Sequence, residues 1–148
     1  GYRNTARGKP FAIKVFDVEL NSRQKRLLEG LPEYDSKVIV AKTEVGMTDL
    51  AALTAKTGVE FAMFTKGNSR MIVRGNEMSV NIDIEKAKQL AADGYTWSGH
   101  THPGIGDLVK VPSFGDIEVL KAFGQTQSVI YDSVGRFEVF FGGGQNNG

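Results

Sequence analysis

The sequence contains no cysteine. That single absence excludes disulfides, thiolate metal sites and cysteine nucleophiles together, so a metal ion here has to be held by His, Asp or Glu. Histidine is nearly as scarce, with two among 148 residues. Uninterrupted apolar stretches are short, as in Phe61 to Phe64, far below the ~20 residues that cross a bilayer. No transmembrane helix is expected, and a membrane partner with it is not. Glycine-rich phosphate loops and dinucleotide fingerprints are missing too. The chain opens on Gly1 with no apolar signal-peptide core behind it, which reads as a module of a longer protein and leaves the compartment open.

What remains is an ordinary globular composition. Hydrophobic residues make up 41% and charged residues 24%, close to the average of folded domains and far from the signature of disorder. At this length one domain with one core is the expectation. The net charge of +1 hides an asymmetry: residues 1–26 carry seven Lys/Arg against Asp17 and Glu19, a surplus of +5, which leaves −4 on the rest. A solvated basic arm accounts for this more simply than a nucleic-acid interface, which is the least supported role.

Turn formers without periodicity mark residues 1–10 as an arm, and 142–148 as a flexible tail, around a single domain over 11–141. The pattern predicts a strand over Phe11 to Val18 and a helix over Ser22 to Leu31, then a β-branched strand over Ser36 to Lys42. Thr48 is the expected N-cap of a helix closed by Gly58. Glu60 to Thr65 and Arg70 to Arg74 read as a hairpin. A helix over Asp83 to Ala92, a strand over Tyr95 to His100, a helix from Ser113 to Gly124 and two last strands complete the series. Elements that alternate without strict βαβ regularity predict an α/β chain of α+β type, a mixed twisted sheet flanked by helices.

The two histidines stand two residues apart, in Ser98-Gly99-His100-Thr101-His102-Pro103. At the end of a strand, a period of two sends both imidazoles to one face, where they can chelate one ion. A catalytic zinc site takes three protein ligands, and without cysteine the third should be a carboxylate. Alternatively the pair lies in a solvated turn. Downstream, Ser113 and Asp116 project together from the first turn of a helix, a spacing that also makes a capping box needing no metal.

The combination of His-x-His-Pro with Pro-Ser-x-x-Asp resembles the JAMM (JAB1/MPN/Mov34-type, MPN+) metallopeptidases. The resemblance implies a JAMM-like, cytidine-deaminase-like fold, a Zn2+ ion held by His100, His102 and Asp116, Glu60 as general base and acid, and Ser113 helping to hold the oxyanion. Glu60 occupies the family's place for its Glu, after a helix and at the head of a hairpin; Glu44, which precedes the same helix, is the competitor. The match runs over residues 48–141, with 11–47 an extension. Two departures stand out: ten residues separate His102 from Ser113, more than the family's common spacing, and no glycine follows Glu60 closely. The function implied is zinc-dependent hydrolysis of a peptide or isopeptide amide bond in a protein or peptide tail, in a bacterial or phage module or the end of a large secreted toxin. The alternative is a non-catalytic JAMM-like scaffold or interaction module. Asp107, in the loop between the motifs, is a further carboxylate to place.

Overall fold

The computed structural model describes residues 18–142. The strand expected over Phe11 to Val18 and the terminal arm lie outside the described residues, except for Val18, and so does the tail beyond Gly142. Asn21 opens the first helix, α1 (Ser22–Glu29), by accepting from Gln24 N–H while its own N–H donates to the Gln24 side chain. This reciprocal cap satisfies two donors that the first turn would otherwise leave open. The β-branched run then forms β1 (Lys37–Ala41), followed by a short 3-10 turn over Lys42–Glu44.

Helix α2 spans Met47–Thr57 and starts two residues earlier than the sequence suggests. Thr48 is inside the helix; Gly46 is the cap residue, and the Asp49 carboxylate supplies the missing side-chain acceptor by taking the Gly46 N–H at 2.9 Å. Gly58 closes the helix in the left-handed region at φ 78°, as a C-terminal glycine commonly does. The hairpin follows as β2 (Phe61–Lys66) and β3 (Ser69–Arg74). Asp83 caps α3 (Ile84–Ala92), which leads into β4 (Thr96–Thr101). Ser113 caps α4 (Phe114–Phe123), and β5 (Gln127–Tyr131) and β6 (Phe137–Phe141) are the last elements of the described residues.

Among the described residues, six strands make one mixed sheet in the order β1-β3-β2-β4-β5-β6. Every pair is antiparallel except β4 with β5, which run parallel. Strand β2 lies centrally and is apolar on both faces, Phe61 and Met63 packing with Leu27, Leu50 and Leu53 of α1 and α2, and Ala62 and Phe64 with Ala87, Leu120 and Phe123 of α3 and α4. A strand covered on both sides reads as a continuous apolar run rather than an alternation, which is why Phe61 to Phe64 is unbroken. The mixed α/β sheet flanked by helices is thus the architecture.

One irregularity decides where the histidines point. Along β4, Met63 pairs with Gly99 but Phe64 with Trp97, so Ser98 is an extra residue without a partner across the strand. A bulge of this kind shifts the facing of the residues on either side of it. Trp97 and His100, three residues apart, consequently share the α4 side, with ring centroids 4.9 Å apart and planes at 23°.

Candidate metal centre

His100 is the last but one residue of β4, and His102 follows directly after the strand. Their side chains are 2% and 1% exposed, which rules out the solvated turn. The Nε2 atoms face each other at 3.0 Å. Asp116, in the first turn of α4, brings Oδ1 to 3.2 Å from His100 Nε2 and Oδ2 to 3.3 Å from His102 Nε2. Donors about 2.0–2.1 Å from a tetrahedral zinc stand roughly 3.3 Å apart, so the three spacings suit one small divalent ion. Glu60, immediately before β2, is 2% exposed and places Oε2 at 3.9 Å from His102 Nε2, beyond hydrogen-bond range. Atoms of Glu60, His100 and His102 lie within 4.8 Å of one another, a buried group that could hold a metal ion.

The surroundings fix these side chains. His102 Nδ1 lies 2.7 Å from the Val109 carbonyl; a carbonyl only accepts, so this nitrogen carries a proton and Nε2 is the nitrogen turned toward His100 and Asp116. His100 is held by ring contacts with Trp97 and Phe140, the latter edge-on at 5.9 Å. His100 Nδ1 has no hydrogen-bond partner among the described residues. Between the two histidines, Thr101 faces the other way: its hydroxyl lies 2.5 Å from that of Thr54 in α2 and accepts the Phe61 N–H at 2.9 Å. Both threonines are fully buried. This three-way junction ties α2, the head of β2 beside Glu60 and the end of β4 together. Sequence reasoning missed Thr54 and Thr101; the alternation of a strand puts Thr101 opposite its flanking histidines, and that was the available signal.

A second brace acts on Glu60 through the backbone. Its N–H donates to Asn76 O at 2.9 Å and its carbonyl accepts from Gly75 N–H at 2.7 Å. A Cβ at Gly75 would collide with the Ser79 carbonyl oxygen, so the tight turn after β3 requires a residue without a side chain. Burial pushes the Glu60 carboxyl up from its ordinary value, only partly countered by His102. Burial also works to raise Asp116, but the charges of His100 and His102 and their hydrogen bonds outweigh it and hold that carboxyl well below the usual range. Two carboxyl groups in one site are thereby pushed in opposite directions.

Ser113 is exposed and forms the capping box in full: its hydroxyl accepts the Asp116 N–H at 3.0 Å, and its N–H donates to Asp116 Oδ2 at 2.8 Å. Capping and facing the histidines are therefore combined in Asp116. Ser113 also borders, with Glu60, His100 and Asp116, a cleft of about 110 Å³. Glu44 is exposed in the 3-10 turn, where its carbonyl accepts from Arg23, and it lies outside the group of Glu60, His100 and His102 that could hold a metal ion. Asp107 is fully exposed and pairs with Lys110. Searches against family models, curated proteins and solved structures found no match to this chain.

Proposed function

We propose that this chain is a zinc-dependent hydrolase of the JAMM type, cleaving a peptide or isopeptide amide bond. The observation that carries the reading is the convergence, in a buried site, of two imidazoles and the Asp116 carboxylate at 3.0–3.3 Å from one another, with the Glu60 carboxyl set just outside them. His100, His102 and Asp116 would hold the ion. When bound, zinc supplies Lewis acidity, polarising the scissile carbonyl and lowering the pKa of a water from ~15.7 toward roughly 7.

The chain's own residues perform the rest. Glu60 takes the proton of the attacking water and delivers it to the departing amine, a role typically worth about 10²–10⁴-fold in rate. Its burial suits the task, since a carboxyl raised from its ordinary value binds a proton more readily at neutral pH. Ser113 accepts the Asp116 N–H through a lone pair and keeps its own proton to donate to the oxyanion. Removal of one such donor costs about 2.7–4 kcal/mol in the transition state.

A peptide chain as substrate is supported by the apolar lining of the cleft, where Val80, Ile82 and the 60% exposed Met78 stand beside the polar groups. Next in sequence to Val109 and Ser113, Leu108 is 84% and Phe114 80% exposed, further apolar surface that a partner chain could cover.

The test is Glu60→Gln in the purified protein, with zinc content and cleavage of a quenched-fluorescent peptide library and of ubiquitin-like isopeptide conjugates as readouts. Retained zinc with hydrolysis lost by at least two orders of magnitude is expected. A zinc-loaded wild type inert toward both substrate types would favour a non-catalytic scaffold.

A further inference from the structure

The ten residues between His102 and Ser113, a stretch longer than the family's common spacing, are anchored from beneath. Lys110 is buried. Its ammonium donates to Gly106 O at 3.0 Å and lies 3.5 Å from Asp132 Oδ2 and from Asp107 Oδ1. Asp132, just after β5, is fully buried, and besides Lys110 it accepts the N–H groups of Gly106, Val134 and Arg136. A second anchor lies alongside: Gly104 N–H donates to Ser133 Oγ at 2.9 Å, and Ser133 N–H to Gly104 O at 2.8 Å. Gly104 has φ 114°, a conformation open to glycine. Between these anchors sits Val109, the residue whose carbonyl receives His102 Nδ1.

We propose that Lys110 and Asp132 form a positioning pair for the metal centre, fastening the 103–112 loop so that the Val109 carbonyl holds His102 protonated on Nδ1 with its Nε2 turned toward Asp116. A merely structural ion pair would need no such geometry. A buried ammonium and carboxylate are expensive to desolvate and are replaceable by apolar groups without loss of stability; here they stand one residue from a backbone acceptor that orients a candidate ligand. The proposal rests on the metal-site reading for its consequence, but the tautomer is a property of the metal-free chain.

The experiment uses the full chain with Lys110→Met and Lys110→Arg. Asp132 keeps three amide donors in Lys110→Met; should that variant fold poorly, Ser133→Ala loosens the same loop from its other anchor and is read in its place. Histidine ring 15N shifts of metal-free protein are expected to show His102 protonated on Nδ1 in wild type and Lys110→Arg, and a mixture of tautomers in Lys110→Met. Zinc affinity by chelator competition is expected to fall about 10–100-fold in Lys110→Met, the range for partners that orient a ligand, and to recover in Lys110→Arg. An Nδ1-protonated His102 with wild-type affinity in Lys110→Met would overturn the proposal. A wild type that binds no zinc while its His102 tautomer still follows Lys110 would instead overturn the metal reading and leave the positioning role standing.

Discussion

Asp116 carries two assignments through one carboxylate, and substitution separates them. Its Oδ2 accepts the Ser113 N–H and also faces His102, while Oδ1 faces His100. Asp116→Asn keeps an oxygen for the cap, and a cap is worth only ~1 kcal/mol. Zinc affinity should therefore fall by orders of magnitude while the thermal midpoint hardly moves, as chelator competition and calorimetry would show. Ser113→Ala removes the acceptor of the Asp116 N–H and should lower stability by about 1 kcal/mol with a much larger loss in turnover. A loss of stability alone would reduce Ser113 to a cap. The residue types of this centre stand out in the sequence because they are rare: two histidines in a chain without cysteine leave few ways to build a metal site. Their partners do not stand out, since Val109 acts through its carbonyl and Thr101 through a hydroxyl on the opposite face.

Among the elements, α1 and α2 are joined by a group that titrates. Asp49 receives Arg23 Nη1 at 2.7 Å, Gln24 Nε2 at 2.9 Å and the Gly46 N–H. Burial tends to raise this carboxyl, but these donors prevail and hold it below its ordinary value. A carboxyl depressed on folding contributes stability above its unfolded pKa of ~3.9 and loses it as pH falls through the folded value. Asp49→Asn should accordingly cost about 1 kcal/mol at neutral pH, Arg23 being partly exposed. The difference from wild type should shrink below about pH 4, as denaturation series at several pH values would show. Most elements were legible because their stops are local: Gly58 and Gly124 end α2 and α4 in the left-handed region. The start of α2 was not, because its cap acceptor comes from Asp49 inside the helix instead of from a residue ahead of it. The bulge at Ser98 left no mark in composition, yet it sets which face Trp97 and His100 share.

For the molecule as a whole, the sheet places its chemistry where the strand direction changes. β4 runs parallel to β5 and antiparallel to β2, so the end of β4 meets the head of β2, and α4 returns its first turn over the same point. Glu60, His100, His102 and Asp116 come from three such ends, and that long-range convergence lies beyond what local pattern can specify. Leu108 and Phe114 are exposed, next in sequence to Val109 and Ser113. Leu108→Ser and Phe114→Ser should raise KM for a protein substrate with kcat and the thermal midpoint little changed, because exposed substitutions away from buried contacts usually fall within about ±0.5 kcal/mol. The account stands most directly on the metal content of the purified full chain, measured by mass spectrometry beside His100→Ala and His102→Ala, with circular dichroism as the check on folding. About one zinc ion per wild-type chain, lost from both folded variants, is the predicted result for three protein ligands; a metal-free wild type, or stoichiometric zinc retained in both variants, would contradict it.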